Sequence, residues 1–538
     1  MQENEKHTRF WKGAISVTLA ALLAKVLSAA YRVPYQNLAG DLGFYVYQQI
    51  YPFYGFSMIL AMYGFPVVLS KMISEQLSVG KEKEAKELVS VAFISLLVVS
   101  VAAAGGLFVA APTVAFLMGD VQLQAPLRAV GLTFLLVPFL SVGRGLHQAQ
   151  GDLQPTALSH IVEQFVRVSM ILILVSLFLS IGGNGYQAGI GAAIGSLIGG
   201  VVAIVVLFTT FRTMAWREWL VPTSLTLTAF LVRSVELWRQ SLFICGTALV
   251  FVLFQLIDAF SMIRLLEISG VGEGIAQLQK GVYDRGQPLI QLGTVLATTF
   301  SLAIVPLLAR AKAEGRIDQA IHYGTIAFRL TVLVGGASTI GLLVIMEPTN
   351  GMLFIDREGS NVLRLLSISI LFGSIFMVTA AVLQGLGYAH LPIKIMIVGL
   401  TSKGIMNVFL VPWLGTYGAA VATTVAFVIM AALQLFALRR LQAFSFSEKT
   451  PWIQVAVAFL GLTVVTAGWR FVMETFLLNE QSRLVDAVLA LSSTVVGGIA
   501  FLYLVLKLNI IADSEWAAIP KLHKWKTRFL KEKGVDKR

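Results

Sequence analysis

The chain of 538 residues is 57% hydrophobic and only 13% charged, whereas soluble proteins carry about 25% charged residues. Its net charge of +12 does not indicate nucleic-acid binding, because the lysines and arginines are spread over many loops and do not form one basic face. The single cysteine, Cys245, excludes a disulfide framework and is expected in the core. The composition therefore predicts a membrane protein.

The apolar residues come in blocks of about 20, the length that an α-helix needs to cross a bilayer. They do not alternate every second residue, as the strands of a β-barrel would. The predicted fold class is therefore an all-α polytopic membrane protein with 14 transmembrane helices. The predicted spans are 12–34, 44–70, 88–117, 126–147, 156–181, 186–211, 240–264, 286–309, 320–346, 361–386, 391–411, 416–438, 452–474 and 485–507.

The N-terminus resembles a signal peptide, because Lys6, Arg9 and Lys12 precede an apolar run. Lys25 interrupts the end of that run and further spans follow, so we expect this segment to be retained as the first span. Lysines and arginines are concentrated in alternate loops, beginning with the N-terminal segment and ending with the C-terminal tail. The positive-inside rule therefore predicts a multi-pass protein of the cell membrane with both termini in the cytoplasm.

Short patterns recur six predicted spans apart. Gly191-Ala192-Ala193 opens the sixth span and Gly418-Ala419-Ala420 opens the twelfth, while Pro66 closes the second and Pro306 the eighth. Because the patterns are an even number of spans apart, the two halves have the same orientation in the membrane and would be related by an axis along the membrane normal. We therefore predict two six-helix lobes plus two C-terminal helices. The predicted regions are an N-lobe at 1–211, a cytoplasmic inter-lobe linker at 212–239, a C-lobe at 240–440, two added spans at 441–507 and a basic cytoplasmic tail at 508–538.

For that tail, an amphipathic helix on the anionic inner leaflet and a solvated basic segment remain equally open.

Enzyme motifs are absent: the six histidines are scattered, and no zinc-protease, serine-elbow or phosphate-loop pattern occurs. Gly191, Gly195 and Gly199 form a ridge of small residues that is typical of close helix packing. We therefore expect a protein that is not an enzyme and needs no cofactor or metal.

Charged residues at the centre of a lipid-spanning helix cost about 2.5–3.5 kcal/mol each and usually mark a functional site. Lys25 and Arg32 are seven residues apart on the first span, so they point almost the same way. Glu163 and Arg167 are four apart, and we expect them to form a structural pair. The other ionisable residues at membrane depth are Asp258, Asp284, Arg285, Arg329 and Lys403, the last with Asn407 one turn away.

Cations outnumber acids in this set, which favours an anionic substrate, and guanidinium groups suit phosphates through bidentate hydrogen bonds. We expect Lys403 to line the same cationic cavity as Lys25 and Arg32. Arg329 could snorkel to the cytoplasmic surface. A coupling role and a structural role both remain open for Asp258, Glu163, Arg167 and Arg329.

The first two spans carry a long motif: Lys25-Val26-Leu27, Tyr31-Arg32-Val33-Pro34, then Tyr47-Gln48-Gln49-Ile50-Tyr51-Pro52-Phe53-Tyr54 and Gly64-Phe65-Pro66-Val67-Val68-Leu69-Ser70-Lys71. A second motif, Tyr283-Asp284-Arg285, stands at the entrance of the eighth span. With these motifs and its fourteen-span layout, the chain resembles the MOP exporter superfamily, and within it the MurJ-like and SpoVB/YtgP-like flippases of polysaccharide precursors.

The resemblance implies a flippase that moves an undecaprenyl-diphosphate-linked cell-wall oligosaccharide, such as lipid II, to the outer leaflet by alternating access. It implies that Lys25, Arg32 and Arg285 bind the diphosphate, that Asp284 accompanies Arg285, and that the last two spans form a groove for the lipid tail. Two departures are evident: Lys25 replaces the family's usual arginine, and the usual arginine of span two is missing near 53–56.

The alternative is a drug or metabolite antiporter of the related MATE type, which would use acidic residues such as Asp258 to bind cations. The basic first span argues against it. The expected partners are the lipid-linked substrate and membrane lipids, with cell-wall synthesis enzymes as further candidates. We expect a monomer and no nucleic acid.

Overall fold

The computed structural model describes residues 26–210, 219, 226–442, 452–476 and 482–511. In those ranges every regular element is a helix. Lys25, most of the first predicted span and the predicted basic tail lie outside the described residues, apart from the first few positions of that tail.

The described chain forms 17 α-helices, which we number in order. They are α1 Arg32–Ile59, α2 Phe65–Ser78, α3 Glu82–Leu117, α4 Gln124–Gly131, α5 Val137–Ala149, α6 Gln154–Ser180, α7 Gly185–Thr210, α8 Leu227–Ala248, α9 Val250–Ile268, α10 Glu273–Asp284, α11 Gly286–Ala313, α12 Ile317–Phe354, α13 Ser360–Gly385, α14 His390–Leu414, α15 Thr416–Arg440, α16 Trp452–Phe476 and α17 Arg483–Lys507. Short 3₁₀ segments at Val121–Leu123 and Leu132–Leu136 flank α4.

The prediction of an all-α polytopic membrane protein is confirmed. Eleven helical segments of the described chain are long and apolar enough to cross a membrane, or twelve if one bent pair counts as a single span. The predicted spans from the second to the fourteenth each coincide with helical segments. The total of fourteen stays a prediction, because most of the first span is not described.

Two details differ from the prediction. The predicted seventh span coincides with two helices, α8 and α9, which are bent by 75° relative to each other. Helix α8 begins at Leu227, inside the predicted linker, where the Thr226 hydroxyl caps the amide of Ala229. Helix α10 was not predicted, because a 12-residue helix with polar and apolar faces is too short and too polar to stand out in a hydropathy window.

The helices divide into two compact units. The first unit comprises residues 1–295 and 388–426, and the second comprises 296–387 and 427–538. The predicted six-helix lobes remain a prediction beside this division.

In the first unit, the ridge of small residues on α7 packs closely against α6, as predicted. A Cβ atom added at Gly195 would lie 2.7 Å from the backbone nitrogen of Ile171, and one at Gly199 would lie 2.8 Å from Cβ of Arg167. Larger side chains would therefore push the two helices apart. Cys245 is fully buried in the hydrophobic core of this unit, as expected.

Helix α1 contains a break at Gly40, where φ is +66° and glycine is therefore favoured. The break lies between the first two predicted spans. Helix α1 then continues into a π-helical turn, Leu60–Gly64, before α2 begins. Such turns widen the helix and leave backbone carbonyls free for other partners.

In the second unit, α12 bends at Ile345, three residues before Pro348. Proline has no amide hydrogen, so the carbonyl of Val344 loses its usual helical donor. Arg470 of α16 donates to that carbonyl over 2.7 Å and pairs with Glu347 of α12 over 2.7 Å. These two contacts of Arg470 hold the bend in α12 against α16.

Candidate functional site: two buried arginines on a tyrosine layer

The candidate site is built on four buried tyrosines of the first unit, which we call the tyrosine layer: Tyr31, Tyr47, Tyr51 and Tyr54. The last three are spaced by four and three residues along α1, which places them on one helix face. Ring centroids are 6.1 Å apart for Tyr31 and Tyr47, 5.8 Å for Tyr47 and Tyr51, and 6.1 Å for Tyr51 and Tyr54. The hydroxyl groups of Tyr31 and Tyr47 are hydrogen-bonded.

Arg32, a predicted binding residue, lies on this layer. Its side chain is 0% exposed, and its guanidinium carbon is 4.1 Å from the centroid of the Tyr51 ring. In the described part of the chain, none of its three guanidinium nitrogens has a hydrogen-bond partner in good geometry, and no carboxylate forms an ion pair with it. The negative face of the aromatic ring is the main compensation for its charge.

Arg167 of α6 lies on the same layer. Its guanidinium carbon is 4.7 Å from the Tyr54 ring centroid and 5.0 Å from that of Tyr31. One nitrogen donates to the hydroxyl of Ser28 over 3.3 Å, while Nε and Nη1 have no partner among the described residues. The side chain is fully buried.

The predicted pair between Glu163 and Arg167 is wrong. Glu163 instead accepts a hydrogen bond of 2.5 Å from Arg144 of α5. Arg144 also donates to Ser159 and to the carbonyl of Ala61 in the π-helical turn. Sequence spacing favours a neighbour four residues away, but Arg144 offers Glu163 a short charge-assisted hydrogen bond from another helix. Arg167 is thereby left without a carboxylate.

Arg285, which we expected to bind substrate, is paired in this structure. Its guanidinium group donates to both carboxylate oxygens of Asp41, with nitrogen–oxygen distances of 2.7 and 2.8 Å. Asp41 follows the break at Gly40 and was not among the predicted site residues. Asp284 does not pair with its neighbour Arg285 but accepts a bond of 2.6 Å from Lys280, one turn earlier on α10.

Lys403 of α14, also expected to bind substrate, pairs with Asp258 of α9. The ammonium nitrogen is 2.9 and 3.0 Å from the two carboxylate oxygens and 2.5 Å from the hydroxyl of Thr423. Asn407 and Tyr283 also donate to Asp258, each over 3.1 Å. The acid and the cation therefore compensate each other within one hydrogen-bonded network.

Arg329 belongs to the second unit and not to the site. It donates to the carbonyl of Ile510, just beyond the end of α17, over 2.9 Å. Lys25, the remaining predicted binding residue, lies outside the described residues.

Sequence reasoning also missed a buried carboxylate in the loop after α3. One oxygen of Asp120 accepts hydrogen bonds from Tyr45, Tyr186 and Gln277 at 3.1, 2.8 and 3.2 Å, and the other accepts one from the amide of Gln122. Burial raises the pKa of Asp120 above its usual value, although these donors favour the ionised form. Asp120 thereby joins α1, α7 and α10 at the end of the first unit that carries this loop.

Both missed acids follow a glycine with positive φ: Asp41 follows Gly40 at the break inside α1, and Asp120 follows Gly119 just after α3. That pattern is a usable signal for a polar side chain at a break. The tyrosine layer had a signal as well, since its three α1 members recur at helical spacing within the motif that carries the family resemblance.

Comparisons with known proteins agree with this architecture. Residues 10–312 match the family model described as polysaccharide biosynthesis protein. The uncharacterized membrane protein YabM of Bacillus subtilis is 35% identical over 96% of this chain and 97% of its own length. The lipid II flippase MurJ of the same organism is 25% identical over 92% of this chain and 95% of its own length.

Two solved structures share the fold at low sequence identity. The lipid II flippase MurJ in an inward closed conformation superposes with a TM-score of 0.63 and 14% identity, covering 92% of this chain and 97% of that one. An inward-facing multidrug resistance MATE transporter of the MOP superfamily superposes with a TM-score of 0.62 and 16% identity, covering 79% of this chain and 98% of that one. This chain therefore belongs to the polysaccharide biosynthesis protein family, and it is a multi-pass membrane protein with the fold of the MOP-superfamily transporters.

Proposed function

We propose that the protein is a flippase that moves an undecaprenyl-diphosphate-linked cell-wall oligosaccharide, lipid II or a related precursor, from the inner to the outer leaflet. The similarity to the lipid II flippase MurJ over nearly the whole chain supports this class of substrate. The substrate would enter from the cytoplasmic leaflet, with both termini of the protein on that side, and the protein would act as a monomer.

The observation that carries the proposal is the state of Arg32. A buried guanidinium group without an anionic partner is expensive in a membrane protein and is usually retained for function. In the described chain Arg32 has an aromatic face beside it and no carboxylate. A phosphate oxygen would supply the strong charge-assisted hydrogen bonds that this group lacks.

Because Arg32 is fully buried, substrate binding requires the helices around the tyrosine layer to separate on one side of the membrane. Alternating access of the two predicted lobes would supply that movement. The diphosphate would meet Lys25, Arg32 and Arg285, and the polyprenyl tail would remain in lipid beside α16 and α17. When substrate binds, Arg285 would have to break its ion pair with Asp41, or hydrogen-bond to Asp41 and the phosphate at the same time.

An electrical component is expected as well. A charge that crosses the whole membrane field gains or loses about 2.3 kcal/mol per 100 mV. An inside-negative potential would therefore favour the return of an empty, positively charged site to the cytoplasmic side.

The test is the exposure of labelled lipid II at the outer leaflet of cells that rely on this protein as their only flippase. We expect wild-type protein to restore exposure and growth, and the Arg32→Glu variant to restore neither at equal expression. Arg128→Glu is the matched control, because Arg128 is half-buried and stacks on the ring of Phe108 at 5.1 Å, away from the tyrosine layer. No exposure with wild-type protein would overturn the proposal for lipid II.

The alternative, a MATE-type antiporter for cations, would need an acidic group that is free to bind its cargo. Asp258 is the best candidate, but Lys403 already occupies both of its oxygens. Export of a cationic dye that disappears in Asp258→Asn would favour this alternative over the flippase.

A further inference from the structure

We propose that Arg32 and Arg167 form a two-arginine clamp that takes one phosphate group each, so that Arg167 is a specificity-determining residue for diphosphate-linked over monophosphate-linked lipids. This inference rests on the proposed function and adds to it a residue and a selectivity. It starts from the finding that Glu163 pairs with Arg144 and leaves Arg167 without a carboxylate.

The two guanidinium groups share one environment. Tyr31, Tyr47 and Tyr51 lie close enough to interact electrostatically with both of them. Arg32 stacks on Tyr51, and Arg167 contacts Tyr31 and Tyr54.

The close packing of α6 against α7 fixes the position of Arg167. Its Cβ atom would lie 2.8 Å from a Cβ atom added at Gly199, so only glycine lets α7 approach here. Ser28 holds one guanidinium nitrogen, and the other two stay unpartnered in the described chain. Arg167 also stands beside Tyr54 of α1, with 4.7 Å between its guanidinium carbon and the ring centroid.

The charges match a particular chemical class. Among the fully buried cations of the described first unit, Arg144, Lys280, Arg285 and Lys403 each have a carboxylate partner. Arg32 and Arg167 have none in the described residues. A diphosphate esterified at both ends, with a lipid at one end and a sugar at the other, carries one negative charge on each phosphate. Two guanidinium groups therefore match two singly charged phosphates.

The tyrosine layer compensates the charges of Arg32 and Arg167 when no substrate is bound. The ring faces are negative and hold the guanidinium groups by cation–π interactions, which are weaker than ion pairs. A phosphate can thus replace an aromatic face at each arginine without first breaking a salt bridge. A lipid with a single phosphate would satisfy one arginine and leave the other as it was.

The experiment uses the full-length protein in lipid nanodiscs and two probes with the same sugar, one linked to undecaprenol by a diphosphate and one by a monophosphate. We expect wild-type protein to bind the diphosphate probe more tightly. Arg167→Gln should lose about tenfold or more in affinity for the diphosphate probe, since hydrogen bonds to charged groups are the stronger ones, and change little for the monophosphate probe. The affinity of Arg167→Lys for the diphosphate probe should lie between those of wild type and Arg167→Gln, because lysine keeps the positive charge but cannot form bidentate hydrogen bonds.

Arg128→Gln is the matched control and should bind both probes as wild type does. If Arg167→Gln binds the diphosphate probe as tightly as wild type, or loses both probes equally while retaining its fold, the clamp is wrong and the proposed function stands. If wild-type protein binds neither probe, the proposed function fails and the clamp fails with it. Should Arg167→Gln not fold, Arg167→Lys carries the same comparison, and unchanged selectivity in that variant overturns the clamp.

Discussion

The first unit holds two kinds of buried cation, and they differ in what compensates their charge. At Lys403 and Arg285 a carboxylate from another helix accepts two or more hydrogen bonds. At Arg32 and Arg167 the partners are tyrosine rings and one serine hydroxyl. The paired cations hold helices together within the protein, whereas the arginines on the tyrosine layer retain unused hydrogen-bonding capacity.

The number of charges in a membrane span therefore does not identify a binding site. Ion pairs satisfy most of the charges that stand out in the sequence, and such pairs are strongly destabilised when one partner is removed. An unpaired guanidinium group should behave in the opposite way, because its removal relieves a cost.

The largest effect is expected at the Lys403–Asp258 pair. Asp258→Leu leaves a buried ammonium group without its carboxylate and should lower stability by about 3–5 kcal/mol. The double variant Asp258→Leu/Lys403→Met should recover most of that loss, because it removes both charges. Thermal unfolding of the purified protein in nanodiscs checks both. A single variant that melts with wild type would show that the pair is not structural.

A smaller effect should distinguish the two possible partners of Glu163. Double-mutant cycles of Glu163→Gln with Arg144→Met should give a coupling energy of about 1.5–3 kcal/mol, as expected for charge-assisted hydrogen bonds. The cycle of Glu163→Gln with Arg167→Met should give less than about 0.5 kcal/mol. Unfolding free energies in mixed micelles supply both cycles, and reversed magnitudes would restore the pair suggested by sequence spacing.

The tyrosine layer should contribute through its ring faces. Tyr51→Leu removes the face on which Arg32 lies, at a distance of 4.1 Å, whereas Tyr51→Phe keeps it. We expect the leucine variant to be less stable than the phenylalanine variant by about 0.5–2 kcal/mol, the range of cation–π interactions. Equal unfolding midpoints for the two variants would argue that the rings do not compensate the charge.

The smallest effect is a pH dependence at Asp120. Its folded-state pKa is raised by burial, so its contribution to stability is complete below the ordinary aspartate pKa and is lost as pH rises through the higher folded value. Wild-type protein should therefore gain thermal stability relative to Asp120→Asn as pH is lowered toward about 4. A parallel pH response of the two proteins, followed by the unfolding midpoint, would contradict the raised pKa.

Much of the fold could be predicted from sequence, because lipid admits only helices and closed β-barrels, and the long apolar runs lack the alternation of barrel strands. The spans from the second onward each coincide with helices, although α2 and α12 end eight residues beyond the predicted ends and α8 begins thirteen residues before the predicted start. The helix α10 could not be found in this way, since its amphipathic sequence differs little from that of a polar loop.

The site was predictable only in part. Burial of Arg32 at membrane depth followed from hydropathy, and the basic character of the site followed from the excess of cations. The pairings did not, because Asp41 and Arg285 are 244 residues apart and Glu163 reaches Arg144 across a helix interface. Sequence spacing reports neighbours on one helix and contains no direct record of contacts between helices.

We propose that Arg32 and Arg167 lack carboxylate partners because they bind a phosphate-bearing substrate. The most direct measurement combines thermal stability and flippase rescue for Arg167→Met, with the unfolding midpoint and outer-leaflet exposure of labelled lipid II measured on the same variant. We predict an unfolding midpoint equal to or above that of wild type together with loss of exposure. A variant that loses stability and still exposes lipid II at the wild-type level would contradict the account.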